Sequence, residues 1–306
     1  MTPFAIAGIQ MPVSTEVENI TAMGERLARL MHRFPWVRMV LFSELAAFGP
    51  APKHAQPLPG PAEAAFCEMA ARHQVWLIPG SLFEQCQDGI YNTAPVIDSA
   101  GTVVTRYRKM FPFQPYEIGI RPGNEFGVFD VPHVGRFGIS ICYDMWFPET
   151  TRQLAALGAE VILHPSLTDT IDRELELAIA RASAATNQCY FFDVNGLGEG
   201  GTGRSIIVDP SGYVIHEAGA GPEFMPVEID LERVRREREC GVRGLGQPLK
   251  SFRDRTVRFP VYERSEQTEA YLRRLGPLVM PENRTQAVDG GAPSDDTARP
   301  DCLSSP

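Results

Sequence analysis

The 306-residue sequence has no run of eighteen or more apolar residues, so no membrane-spanning helix is expected. Its first ten residues carry no basic cluster ahead of their short apolar run, so no secretory signal is expected either. No Cys-x-x-Cys pair occurs. The six cysteines (Cys67, Cys86, Cys142, Cys189, Cys240 and Cys302) stand far apart, which argues against a disulfide framework and against a structural zinc site. A reduced, cytoplasmic, soluble protein is the expectation. Positive charge is in short supply: 29 Lys and Arg against 38 Asp and Glu give a net charge of -9. That weighs against a nucleic-acid-binding surface. Lysine is scarcer still, with only Lys53, Lys109 and Lys250 among the 29 cations.

What is present is ordinary globular material. Hydrophobic residues make up 43% and charged residues 22%, which excludes a mostly disordered, collagen-like or coiled-coil chain. The length suits one large domain or two modest ones.

The apolar periods alternate between strand and helix. Phe4–Met11, Arg38–Glu44 and Val75–Phe83 read as strands, and 14–33 and 61–73 as helices, the first with Thr15 and Glu18 as a capping box. A hairpin follows around Ser99-Ala100-Gly101. The second half repeats the order: a strand over 136–142, a helix over 148–157 closed by Gly158, a strand over 159–164, a helix over 171–187, a strand over 190–195 and a hairpin around Pro210-Ser211-Gly212. This predicts a pseudo-duplicated α/β domain with helices covering the sheets. Residues 231–239 read as a charged helix with a solvated face. Residues 1–282 are expected to form one domain, and the Gly/Pro/Asp-rich stretch 283–306 a disordered tail.

Three residues stand out as candidates for chemistry. Cys142 ends a buried strand shortly before a helix; a strand–turn–helix junction exposes a nucleophile and aims backbone N–H groups at an oxyanion. Glu44 closes another strand, and open α/β sheets place their sites at such ends. A partly buried glutamate there can serve as a base near neutrality. Lys109 follows a strand of the first hairpin, in a chain whose default cation is arginine. A Cys–His dyad with His133 or His164 is the competing arrangement, but nothing in the sequence brings either histidine to Cys142.

Together these segments resemble the nitrilase superfamily, the carbon–nitrogen hydrolases, with a Glu–Lys–Cys triad in this chain order. Phe42-Ser43-Glu44, Arg106-Tyr107-Arg108-Lys109-Met110 and Ile141-Cys142-Tyr143-Asp144 through Phe147-Pro148-Glu149 carry the likeness. Tyr116-Glu117 with Arg121-Pro122-Gly123 resembles the segment bearing an additional active-site glutamate, with Glu125 as the competitor. The likeness extends over about residues 4–230. Thr186 stands where the family often has glutamate. The resemblance implies a four-layer αββα sandwich, a homodimer or larger homo-oligomer, no metal or organic cofactor, and a small-molecule amide-type substrate. By the same resemblance Glu44, Lys109, Cys142 and Glu117 are catalytic, the Tyr143 backbone N–H lies in the oxyanion hole, and Asp144 and Trp146 border the substrate. Tyr143 after the cysteine, where nitrile hydrolases often carry tryptophan, favours a primary amide or N-carbamoyl compound. A nitrile hydrolase on the same triad and a non-catalytic scaffold are the alternatives.

Overall fold

The computed structural model describes residues 2–114, 116–263 and 265–280; the expected tail at 283–306 lies outside the described residues. Two sheets dominate. In the first, Pro3–Gln10, Met39–Phe42 and Trp76–Ile78 run parallel, and the hairpin Gly89–Ile97 and Val103–Arg108 extends the sheet. In the second, Gly135–Ile139, Val161–Ser166 and Tyr190–Asn195 run parallel, and the hairpin Ile206–Val208 and Val214–Glu217 extends it. Three parallel strands and a hairpin therefore occur twice, as the duplicated sequence pattern predicts.

Strand side chains alternate between faces, and here both faces are buried. Phe4, Ile6, Met39 and Leu41 of the first sheet meet Phe137, Ile139, Val161, Leu163 and Phe192 of the second in one core between the sheets. Their neighbours Ala7, Ile9, Val40 and Phe42 point outward, against Met23 and Leu27 of helix Ile20–Arg33 and Phe66 and Ala70 of helix Pro61–His73. On the other side Ile162, Phe191 and Val208 pack on Leu154 of helix Pro148–Ala156 and on Leu177, Ala180 and Ala184 of helix Arg173–Asn187. The layers are helix, sheet, sheet, helix: an αββα sandwich.

Several boundaries differ from expectation. The first helix begins at Ile20, not near residue 14, and carries no capping box. Asn19 holds the preceding loop instead: its Oδ1 accepts from Ser14 N at 3.1 Å and its Nδ2 donates to Ser14 O at 2.9 Å. The strand expected over 75–83 is broken into Trp76–Ile78 and Leu82–Cys86. Gly80 lies in the break with a φ of 81°, and only glycine fits there, because a Cβ would lie 1.7 Å from Ser43 O. Two longer strands were not foreseen, Gly127–Val131 and Glu223–Asp230; the second pairs along all of Pro3–Gln10. Helix Leu231–Cys240 is not merely a solvated face. Leu231 and Val234 enter the core between the sheets, Arg233 pairs with Asp209 at 2.6 Å, and Arg235 pairs with Glu160 at 2.7 Å.

Candidate active site

Glu44, Lys109 and Cys142 each follow the carboxyl end of a strand, after Met39–Phe42, Val103–Arg108 and Gly135–Ile139 respectively. The two sheets bring these ends together. Glu44 N donates to Ser166 O across the sandwich at 3.2 Å, and Lys109 N donates to Asn92 O of its hairpin partner at 2.8 Å.

At the centre is a buried ammonium between two carboxylates. Lys109 Nζ donates to Glu44 Oε1 at 2.9 Å and to Glu117 Oε2 at 2.8 Å. Lys109 is 2% exposed, too little for water to stabilise the charge. Burial opposes that charge, but Glu44, Cys142 and Glu117 outweigh it and hold the amine well above its ordinary pKa. Two of the three N–H donors of its ammonium are used on these carboxylates. Asn92 ties the carboxylates from the other side, with Nδ2 donating to Glu44 Oε1 at 2.7 Å and reaching Glu117 Oε1 at 3.5 Å. Glu125, the competing glutamate, is exposed, whereas Glu117 is in the cluster.

Cys142 opens a short 3-10 turn, Cys142–Trp146, with φ of 44°. That left-handed conformation is strained for a residue with a Cβ, and it falls at the candidate nucleophile. The Cys142 thiol donates to Leu167 O at 3.5 Å and lies 3.9 Å from Thr168 Oγ1. Burial and then Glu44 push the thiol well above its ordinary pKa, while Lys109 pulls the other way. Burial also raises Glu44, against the opposing pull of Lys109 and of a hydrogen bond with Cys142. The resting pair is thus a thiol beside a carboxylate with heightened proton affinity.

Asp144, expected beside the substrate, has its carboxylate turned into the protein. Its side chain is fully buried and its oxygens are spent on Tyr107 Oη at 2.6 Å, Ile141 N at 2.8 Å and Phe111 N at 2.9 Å. Burial raises its pKa to about 6. The residue anchors the nucleophile turn to the lysine segment. Trp146 is half-buried, and its Nε1 donates to Glu176 Oε1 at 3.4 Å. Tyr143 is half-buried in a row of rings, 4.8 Å from Phe113 and 5.3 Å from Phe147.

Among the described residues no histidine is hydrogen-bonded to the Cys142 thiol; His164 meets only the Cys142 backbone. His164 Nδ1 is 2.7 Å from Ser140 Oγ, and burial lowers its pKa to about 4, so it is neutral. His133 is exposed on a turn.

Sequence reasoning missed Asn92, Thr168, Arg173, Glu176 and Asp193. Arg173 Nη1 lies 2.8 Å from Asp193 Oδ2 and 3.1 Å from Glu176 Oε2, all three nearly inaccessible. Asn195 holds Thr168 in place, accepting from its N and donating to its O, each at 3.0 Å. The available signal for Asn92 was a polar residue amid the apolar strand Gly89–Ile97.

Comparison with known proteins agrees with this geometry. Residues 5–239 match the family model described as carbon-nitrogen hydrolase. The chain is 28% identical over 255 residues to the omega-amidase NIT2 of Homo sapiens, covering 76% of this chain and 91% of that protein. Among solved structures, Nit3 of Saccharomyces cerevisiae, a member of branch 10 of the nitrilase superfamily, superposes with a TM-score of 0.71 at 26% identity, covering 78% of this chain and 94% of that one. A carbon-nitrogen hydrolase from Helicobacter pylori G27 gives 0.73 at 24% identity, over 87% and 99%. With more than half its length matched by the family model and the sandwich in common with these structures, the chain belongs to the carbon–nitrogen hydrolase family, within the nitrilase superfamily.

Proposed function

We propose that the protein hydrolyses a primary amide or an N-carbamoyl compound through a thioester on Cys142, releasing ammonia. The observation that carries this reading is the pair of contacts from Lys109 Nζ to Glu44 Oε1 and Glu117 Oε2, 2.9 and 2.8 Å, beside a buried thiol. A charged lysine with one donor left over suits a developing oxyanion. The omega-amidase relative supports an amide as the bond attacked.

In the first half-reaction the Cys142 sulfur attacks the carbonyl carbon as its proton passes to Glu44. The raised proton affinity of Glu44 suits it to this role. The oxyanion of the tetrahedral intermediate takes the third N–H of Lys109 and the backbone N–H of Tyr143. Collapse breaks the carbon–nitrogen bond, Glu44 returns its proton to the departing nitrogen, and ammonia leaves with the acyl group on sulfur. In the second half-reaction Glu44 takes a proton from water. The hydroxide adds to the thioester, and collapse yields the acid and a thiol re-protonated by Glu44. Glu117 keeps Lys109 charged and oriented. Trp146 borders the acyl group, and Asp144 positions the turn without touching substrate.

The same reading assigns residues 1–282 to the catalytic domain, and takes the protein to be a cytoplasmic homo-oligomer. Ammonia release over primary amides, N-carbamoyl amines and nitriles, measured beside Cys142→Ala, tests the function. Release from amides or N-carbamoyl compounds that the substitution abolishes is the expected result. Release from nitriles alone, or release that survives the substitution, would sink it.

A further inference from the structure

The two oxygens of Glu44 are not equivalent. Oε1 accepts from Lys109 Nζ at 2.9 Å and from Asn92 Nδ2 at 2.7 Å. A carboxylate oxygen offers two lone pairs, and both are taken. The Cys142 side chain also hydrogen-bonds this carboxylate. Oε2 is the oxygen with capacity left for it.

Asn92 is fully buried on strand Gly89–Ile97. Its backbone is pinned on both sides: Phe83 of strand Leu82–Cys86 is its antiparallel partner, and its O accepts from Lys109 N at 2.8 Å. Charge dictates how the amide is turned. Reversed, Oδ1 would face Glu44 as acceptor against anion. Oδ1 meets no donor among the described residues, so no bond at the carbonyl end sets the orientation instead. The groups that face Glu44 are Lys109, Glu117, Cys142 and Asn92. Asn92 is the one among them that does not titrate.

Resting on the proposed hydrolysis, we infer that Asn92 is a positioning residue for proton transfer: with Lys109 it occupies Glu44 Oε1, so that Oε2 alone takes the proton of Cys142 and, later, that of water. As the sulfur–carbon bond forms, the electron pair of the S–H bond stays on sulfur and the proton passes to Oε2, from which it leaves with ammonia. In the second half-reaction Oε2 takes a proton from water and returns it to sulfur. Asn92 itself takes no part in bond breaking. A donor to a carboxylate favours the charged form, so the same contact helps keep Glu44 ionised.

Asn92→Leu keeps the branched shape and removes the donor. Two pH profiles read the effect. One is alkylation of Cys142 by iodoacetamide, followed by intact mass with Cys142→Ala as the blank; it needs no substrate. The other is ammonia release from a panel of primary amides and N-carbamoyl compounds. Loss of the donor raises Glu44, so the acid limb of each profile is expected to move up by about one pH unit, and alkylation below the limb to slow about tenfold. At the plateau kcat should fall about tenfold while KM changes by less than about twofold. In a Glu44→Gln background, Asn92→Leu should cost no further activity, because its effect runs through Glu44. A folded Asn92→Leu protein with the native acid limb and native kcat overturns the proposal. Asn92→Ser repeats the test if Asn92→Leu does not fold, and loss of the fold in both makes Asn92 a structural residue, which overturns it as well. A shifted alkylation limb in a protein that releases no ammonia across the panel defeats the hydrolase reading and leaves the placement of the thiol proton on Glu44 Oε2 standing.

Discussion

Lys109 Nζ sits 2.9 Å from Glu44 Oε1 with both side chains all but removed from solvent. Such a pair is held by partnership, because removing one member leaves the other as an uncompensated buried charge. Lys109→Ala leaves Glu44 and Glu117 facing each other without their shared cation. A loss of about 3–5 kcal/mol in unfolding free energy is expected, together with loss of turnover by a factor of about 10³ or more. Urea unfolding and ammonia release measure the two separately. Lys109→Ala with native stability would show that the ammonium is dispensable to the fold.

Glu44 has two tasks in the proposed cycle, and one substitution separates them. Glu44→Gln can neither take the thiol proton nor activate water. General-base assistance is worth about 10²–10⁴-fold, so steady-state release should fall by that much. Where acylation still proceeds slowly, the thioester has no base to release it. Intact-mass measurement of this variant after incubation with an amide should show the acyl adduct, and Cys142→Ala should show none. An adduct that forms equally on Cys142→Ala would place the nucleophile elsewhere.

Glu117 touches Lys109 and Phe113 N but makes no contact with Cys142. Glu117→Gln keeps an oxygen for Lys109 and removes a charge. The expected result is a fall in kcat of about ten- to a hundredfold with the fold retained, a smaller loss than for Glu44→Gln. An effect as large as that of Glu44→Gln would mean that Glu117 handles a proton itself.

Much of this arrangement was legible in the chain. The alternation of strand and helix, the repeated hairpins and the position of Glu44, Lys109 and Cys142 just past strand ends are local patterns, and each appears where the sequence puts it. Ser14–Asn19 was misread because Thr15 and Glu18 imitate a capping box; Asn19, bonded to Ser14 and to Ala47 O of a distant loop, wins instead. The need for glycine at 80 was illegible because the atom that leaves no room for a Cβ is Ser43 O, just past the end of another strand. The anchoring contacts of Asp144 were not legible from its place beside Cys142. Two of its three partners, Tyr107 and Phe111, lie more than thirty residues away. Arg173, Glu176 and Asp193 come from a helix and a neighbouring strand, and nothing in either segment alone reveals their pairing.

The last prediction concerns two buried groups with opposite effects on stability. His164 has a folded pKa near 4, depressed first by burial from an ordinary 6.5. Between those values the unfolded chain binds a proton that the native one refuses. Stability due to His164 is therefore complete above about pH 6.5 and is lost as pH falls toward 4. Asp144 has a folded pKa of about 6, raised first by burial from 3.8. In that window the native protein binds the extra proton, so the contribution of Asp144 is present at low pH and declines as pH rises toward 6. The slopes oppose each other, and the native protein should show a flat stability profile from pH 4 to 6 as far as these two groups decide it. His164→Gln removes one slope. Relative to the variant, the native protein should lose up to about 3 kcal/mol between pH 6.5 and 4. Denaturant unfolding at half-unit pH steps reads this directly, and a native-minus-variant difference that stays constant across the window would mean that His164 titrates normally in the folded state.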